Sequence, residues 1–549
     1  MTTVIVGGVA GGMSAAARLR RLDDAEQIIV VERTHYVSYA NCGLPYHVSG
    51  VIGDRDDLLL QSPEALASQL GLDVRVDSEV LSVDRGRATL RVRHLPSGHE
   101  YDLGWDHLVL SPGATPFVPD VPGVERAMML RNVEDMDRIK AAVANLAHTE
   151  VGTPTAVVVG GGFIGLELAE NLAEAAMSVT VVELADQVLA PLDPEMAVPV
   201  QAELEAHGVN VELGASLTKV LPAEVEVSDG RCLPADLVVM AIGVRPDADL
   251  ARRAGLAVGP TGAIAVDERM RTSDPRIYAI GDAVEKTAEV DGGPLLVPLA
   301  NIANRQGRMV ADDIAGKGRD FRPVLGTAII KVFGLTAAVT GANEKRLRAL
   351  GRPYLAVHTH PGSHAGYYPG SERVSLKLLV CPATGAILGA QAVGRQGADK
   401  RIDVIATAMR AGLTAADLAD LELAYAPPYG SAKDPVNMLG YVASNRLSGQ
   451  EPTVQWYEVE ELAAAGALLV DVRTPREHVM GHIPGSVNIP LDQIRNRSAE
   501  LEGRRVVVYC QVGQRAHTAG QMLKDRGHDV VNLDGGYLTW RAGKKARRP

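Results

Sequence analysis

Cysteine is scarce: the 549 residues contain four, at positions 42, 232, 381 and 510. None stands in a CxxC or CxxxxC spacing, which excludes a dithiol redox centre made by close neighbours and argues against a zinc site or a disulfide scaffold. A reducing, cytoplasmic setting is expected, with cysteine chemistry done by single thiols. Aromatic residues make up only 4%, so tyrosines that cluster carry information. Positive charge is not in excess. The net charge of −12 leaves no electrostatic footprint for nucleic acid, and the short basic tail, residues 541–548, reads as a solvated end. No apolar run approaches the ~20 residues a membrane span needs, because glycine or charge interrupts each candidate. The opening Met1-Thr-Thr-Val-Ile-Val-Gly7 runs straight into a strand, so no signal peptide is expected.

What remains is globular material. Hydrophobic residues at 46% and charged residues at 22% suffice for buried cores, and the length predicts three to five units at roughly 100–200 residues each. A strand, glycine turn, helix, strand pattern occurs twice. Val4-Ile5-Val6 leads into the glycines of residues 7–12, a helix over 13–22, and a strand over 28–31 that ends at Glu32, with Arg33 beside it. Val157-Val158-Val159 leads into Gly160-Gly-Gly-Phe-Ile-Gly165, a helix through Glu174, and a strand over 179–182 that ends at Glu183. In such a unit the first glycine makes the tight turn and the second lets backbone amides approach a pyrophosphate. The third packs helix on strand.

Gly160, Gly162 and Gly165 satisfy this fully. In the first copy the register of Gly7 and Gly12 puts Val9 at the middle position, leaving Gly8 or Gly11 to provide clearance. The acids Glu32 and Glu183 follow 25 and 23 residues after each first glycine, where a carboxylate can bind a ribose hydroxyl pair. Two dinucleotides are therefore expected. Leu184 and Ala185 follow Glu183 and provide no arginine for a 2′-phosphate, so NADH is expected over NADPH. Catalytic efficiency with NADH should exceed that with NADPH, and a strong NADPH preference would overturn this assignment.

Two glycine turns after apolar strands, residues 108–116 with Gly113 and residues 277–282 with Gly281 and Asp282, complete the pattern. Together these segments resemble the two-dinucleotide flavoprotein family of pyridine nucleotide–disulfide oxidoreductases, over residues 1 to about 445. The resemblance implies an α/β fold with two Rossmann-like domains. FAD would occupy a discontinuous domain, 1–115 with 250–325, and NAD(P)H the domain 116–249. An α+β dimerisation domain would span 326–446.

Ser38-Tyr-Ala-Asn41-Cys42-Gly-Leu-Pro-Tyr46 resembles the single-cysteine branch of that family, which contains coenzyme A-disulfide reductases, NADH-dependent persulfide reductases and some NADH oxidases and peroxidases. Dithiol members carry CxxxxC here, but His47 and Val37 flank Cys42 at five residues. A lone thiol does redox work only if its second sulfur comes from a small thiol, or if oxygen converts it to a sulfenic acid. Ser14, Arg18 and Arg21 share one face of the first helix and, with Ser38, Asn41 and Asn304, match coenzyme A-contacting positions of the branch. Arg18 and Arg21 would otherwise be a solvated helix face.

Dithiol members carry a C-terminal His-Pro motif. This chain has instead His364-Ala-Gly-Tyr367-Tyr368 and a segment from Leu423 through Tyr425 and Tyr429 to Lys433. The resemblance implies that Tyr367 and Tyr425 reach the partner subunit's active cysteine in a homodimer with composite sites. Lys433 could hold a phosphate. His358, His360 and His364 lack other nearby ligand types and read as a surface loop, so no metal is expected.

Residues 446–453 read as a short polar linker. Beyond it, strands over 468–472, 505–509 and 530–533 suit a parallel sheet. The Asp471 and Gly481-His482 segments and the CxxGxR loop Cys510-Gln-Val-Gly-Gln-Arg515 resemble the rhodanese domain, here 454–549. In such a loop, amides and the helix dipole lower the thiol pKa and cradle a persulfide, and Arg515 adds positive charge. Cys232 and Cys381 carry no motif. The resulting expectation is an FAD-dependent NAD(P)H reductase of coenzyme A persulfide or polysulfide, also reducing coenzyme A disulfide, with Cys510 handling sulfane sulfur. The alternatives are an NADH oxidase or peroxidase using a Cys42 sulfenic acid, and a non-catalytic sulfur carrier or redox sensor in which the flavin is structural.

Overall fold

Alternating apolar residues build a first sheet that is buried on both faces. Val4, Ile29 and Val31 pack into one core, and Ile5, Ile28 and Val30 into another behind them. In this computed structural model, which describes residues 1–148 and 152–546, the strands run in the order Ile277–Ala279, His107–Leu110, Thr2–Val6, Gln27–Val31, Asp73–Arg75. All four pairings are parallel. The helix Ala10–Leu22 begins inside the glycine turn, three residues before the expected start, because Gly11 and Gly12 are already helical and buried. A second parallel sheet centres on Thr155–Val159, between Ser178–Glu183 and Leu237–Met240. Its turn leads into the helix Phe163–Glu174. Both glycine turns thus lie at carboxyl ends of strands, where α/β sheets bind ligands.

The chain divides into two units, residues 1–182 with 215–324 and residues 183–214 with 325 onward. In the second, an antiparallel sheet runs in the order Ala328–Val332, Leu335–Gly341, Ile387–Gly394, Val374–Val380, Leu355–Thr359. A five-stranded parallel sheet follows, ordered Thr453–Val454, Val530–Leu533, Val506–Tyr509, Leu468–Asp471, Val487–Asn488. The α/β and α+β classes expected from the sequence are those observed.

Three expectations need correction. His358 lies within the strand Leu355–Thr359 rather than on a surface loop, and both it and His364 are buried. Its strand pairs at one edge only, and its imidazole is taken up by two carboxylates. The linker is not simply polar and solvated. The helix Pro435–Leu447 runs into it, and Glu451 is buried where it accepts a hydrogen bond from Asn532 Nδ2 at 2.6 Å. The basic tail is helical to Ala546, with Lys544 paired to Glu460 and Lys545 to Glu205; residues 547–549 lie outside the described residues. Among the described residues, no helix is long and apolar enough to cross a membrane.

Candidate active sites

The second glycine turn fits a dinucleotide by what its glycines meet. A Cβ on Gly160 would collide with Ala241 O at 2.4 Å and one on Gly165 with Gly160 O at 1.9 Å, whereas one on Gly162 would meet nothing within 4 Å. Gly160 and Gly165 therefore admit no side chain, and Gly162 faces open space. In the first copy neither Gly8 nor Gly11 supplies that clearance. A Cβ on Gly8 would strike Val37 at 2.7 Å, and one on Gly11 lies 3.0 Å from Ser111 Oγ, so both are packing positions.

The Glu32 carboxylate accepts from Gly8 N at 2.7 Å and from Thr34 N and Oγ1 at 2.9 Å. Arg33 beside it is exposed. Glu183 accepts from Ala185 N at 2.8 Å. Gly113 and Gly281 both adopt the left-handed conformation. Gly281 N donates to Gln306 at 2.8 Å, and its carbonyl accepts from Lys286 Nζ at 2.6 Å. Burial lowers Lys286 to about 8 and raises the neighbouring Asp282. These residues fit FAD on the first turn and a nicotinamide dinucleotide on the second.

Cys42 sits in a short helical turn, Asn41–Gly43, that passes directly into the helix Leu44–Ser49. The residue is exposed and its thiol free. Although it reaches solvent, the protein around the sulfur desolvates it and, with the carboxylates of Glu167 and Asp282, raises its pKa. Sequence reasoning missed Glu167. It projects from the helix Phe163–Glu174 and accepts from Tyr46 Oη at 3.5 Å, and burial raises its carboxyl to about 7. The available signal was an acid inside the apolar run Phe163–Glu174.

A test follows from the sign of this coupling. At pH 8 Glu167 is ionised and opposes the Cys42 thiolate, so Glu167→Gln should speed Cys42 alkylation by iodoacetamide about three- to tenfold. Peptide mapping by mass spectrometry reads the site, and the difference should shrink at pH 6, where Glu167 is protonated. Equal rates at pH 8 would exclude the coupling.

Of the coenzyme A candidates, Ser14 and Asn304 come together, with Ser14 Oγ donating to Asn304 Oδ1 at 3.0 Å. Arg18 is paired with Asp312 at 2.7 Å. Arg21 and Asn41 are exposed, and Ser38 is in the left-handed region at φ 49°. In the other unit Tyr367 and Tyr425, 58 positions apart, join through their hydroxyls at 2.8 Å. Tyr367 is 77% exposed. Lys433 is exposed one residue before the buried Asp434, which caps the helix Pro435–Leu447.

Cys510 ends the strand Val506–Tyr509 ahead of the helix Gln514–Lys524, and it is only 1% exposed. Arg515 gives its charge first to Glu477, in a two-pronged pair at 2.6 and 2.8 Å, with Cys510 a lesser influence on the guanidinium. Arg473, missed from sequence, ties this module together. Its guanidinium holds Asp471, the Gly481 carbonyl at 2.7 Å and Gln511 Oε1 at 3.0 Å. Asp471 also accepts from His478 at 2.9 Å.

Comparisons with known proteins cover the whole chain. Residues 1–307 match the family described as pyridine nucleotide-disulphide oxidoreductase, residues 327–435 its dimerisation domain, and residues 455–543 the rhodanese-like domain. A coenzyme A disulfide reductase of Staphylococcus aureus strain JH9 is 34% identical over 80% of this chain and 99% of its own. An NADH oxidase of Methanocaldococcus jannaschii is 34% identical over 82% of this chain and 100% of its own. Among solved structures, the reduced Bacillus anthracis CoADR-RHD superposes with a TM-score of 0.97 at 47% identity, covering 100% of this chain and 98% of that one. The NAD-dependent persulfide reductase from A. fulgidus gives 0.92 at 38% identity, covering 98% and 100%.

Proposed function

The chain belongs to the pyridine nucleotide-disulphide oxidoreductase family, and on that premise we propose that it is an NADH-dependent reductase of coenzyme A persulfide or polysulfide that also reduces coenzyme A disulfide. The observation that carries this reading is a free, solvent-reaching Cys42 in the same chain as a rhodanese thiol, Cys510. A sulfurtransferase is useful to a persulfide reductase and has no evident use for symmetrical disulfides. The similarity to the persulfide reductase of A. fulgidus supports the same choice.

Gly7, Gly8, Gly12, Glu32, Arg33, Gly113, Gly281 and Asp282 would hold FAD, and Gly160, Gly162, Gly165 and Glu183 would hold NADH. Bound there, the pair supplies two electrons to a sulfur–sulfur bond. The Cys42 thiolate attacks the coenzyme A-bearing sulfur of the persulfide, releasing hydrosulfide and forming a mixed disulfide. Two electrons and a proton then regenerate Cys42 and release coenzyme A thiol. Attack on the terminal sulfur reverses the order of release, and coenzyme A disulfide gives two thiols by the same route.

Ser14, Arg18, Arg21, Ser38, Asn41, Asn304 and Lys433 are assigned to coenzyme A, although Arg18 would have to leave Asp312 to serve. The Tyr367–Tyr425 pair would donate a proton to the leaving thiolate across a homodimer. At Cys510 a donor would leave sulfane sulfur for passage to coenzyme A or another small thiol. The reading places the enzyme in the cytoplasm.

Hydrosulfide release from coenzyme A persulfide, measured beside coenzyme A disulfide turnover, tests the proposal. The oxidase-named relative supports one other reading, in which Cys42 cycles through a sulfenic acid. NADH-dependent consumption of oxygen or peroxide without added sulfur would select it.

A further inference from the structure

The strand Val530–Leu533 ends at Asp534, and the residues after it form the back wall of the Cys510 loop. Gly535 and Gly536 are both left-handed at φ +65°. A Cβ on Gly536 would stand 2.6 Å from Cys510 O, 2.8 Å from Gly513 N and 2.9 Å from Val512 N. Tyr537 N donates to Cys510 O at 2.8 Å, and Leu538 N to Gln511 O at 3.1 Å. The turn and the loop have no slack between them.

The other side of this turn is held from outside the parallel sheet. Asp534 accepts from His358 Nδ1 at 2.6 Å, His358 N at 3.2 Å and Gln455 Nε2 at 3.1 Å, with Arg446 at 3.6 Å. The second imidazole nitrogen of His358 meets Glu195 Oε1 at 2.9 Å. Gly535 fills the remaining gap, since a Cβ there would lie 2.7 Å from His358 Cβ. His358 and Asp534 are 2% and 3% exposed, so water does not compete for either partner.

We propose that His358 is a positioning residue of the sulfurtransferase centre: clamped between Asp534 and Glu195, it fixes residues 534–536 and through them the amide and carbonyl frame around Cys510. The proposal rests on Cys510 being the sulfurtransferase thiol. A histidine of the antiparallel sheet thereby sets how well the rhodanese module works.

The charges facing His358 are Asp534 at the strand end, Glu195 on the helix Pro194–Ala206 and Lys377 on the strand Val374–Val380. Arg446 acts on Asp534, Asp193 and Glu344 surround Lys377, and His360 lies on the same strand as a neutral neighbour lowered to about 3 by burial, His358 and Arg373. Burial pulls His358 down, but Asp534 and Glu195 outweigh it and raise it from 6.5 to about 9. The cation is thus present at neutral pH and lost as pH rises through about 9.

The test uses the full-length holoenzyme with thiosulfate as donor and cyanide as acceptor. Cys510 takes the outer sulfur and releases sulfite, and cyanide then takes that sulfur as thiocyanate and restores the thiolate. His358→Ala and His358→Asn should lower kcat about tenfold or more, while NADH-dependent flavin reduction stays at the wild-type rate. The wild type should lose activity between pH 8 and 10 with a midpoint near 9, a step absent from His358→Asn. Full transfer with an unchanged pH profile in either variant would overturn the proposal, provided Cys510→Ser is inactive. Undiminished transfer in Cys510→Ser would instead remove the assignment of Cys510 and the proposal with it.

Should the variants fail to fold, the wild type decides. The amide-exchange protection factors of Tyr537 and Leu538, corrected for intrinsic rates, should fall about tenfold across the same pH step. Constant protection would sink the proposal.

Discussion

Replacing Cys42 by serine is expected to cut NADH-dependent hydrosulfide release from coenzyme A persulfide by about 10³-fold or more. The reason is chemical. A serine hydroxyl cannot form the sulfur–sulfur bond by which the substrate is held and split, and none of the other three cysteines stands within a helical turn of position 42. Flavin reduction by NADH should persist in Cys42→Ser, because it precedes the sulfur step. Cys510→Ser should leave the reduction of preformed coenzyme A persulfide intact but stop hydrosulfide release when a sulfane donor and coenzyme A are supplied separately. Undiminished sulfide production by Cys42→Ser would overturn the mechanism. Loss of coenzyme A disulfide turnover together with persulfide turnover would place both substrates on the same thiol.

Much of this was legible because it depends on local patterns. The glycine pattern is written in six consecutive residues, so Gly160, Gly162 and Gly165 could be picked out as a turn, and part of its geometry is local, with a Cβ on Gly165 striking Gly160 O. The first turn was harder. Val37, which decides what Gly8 is for, lies 29 positions away, and no spacing rule reports on it. The same limit hid Glu167, which matters only because the fold brings Tyr46 to it. It also disguised His358. Three histidines in seven residues look like a polar loop, and only the carboxylates of Glu195 and Asp534, 163 and 176 positions away, make burying one of them tolerable. Pairs such as Tyr367 and Tyr425 were legible through resemblance, and the contact between their hydroxyls required the fold. Long-range charge pairing is the part a single sequence conceals.

The strongest such pairing carries the second large expected effect. Lys377 is fully buried on the strand Val374–Val380, with its ammonium 2.9 Å from Asp193, 2.6 Å from Glu344 and in contact with Glu195. The three carboxylates lie close enough together to resemble a metal site, but the ammonium is their cation. Lys377→Met should destabilise the unit by about 3–5 kcal/mol, because it leaves buried Asp193 without its ion-pair partner, Glu195 with His358 alone and Glu344 with Arg348 alone. A fall in the urea midpoint, or loss of soluble protein at 37 °C, would register it.

The effect should depend on pH with a definite sign. Burial opposes ionisation of Glu195, but Lys377 and His358 hold it below the usual carboxylate range, so its contribution is present above that range and lost on acidification. Burial opposes the Lys377 charge too, yet its carboxylates raise it, so the ammonium persists through the neutral range, whereas at Asp193 burial outweighs Lys377 and raises the carboxyl. In Lys377→Met, Asp193 loses its cation while Glu195 and Glu344 keep only His358 and Arg348, so the cluster takes up protons more readily. The stability gap to wild type should therefore narrow between pH 8 and pH 5, and adding Glu195→Gln should recover part of it at pH 8. A gap that is constant with pH would mean that packing of the lysine stem, rather than its charge, holds this part of the fold together.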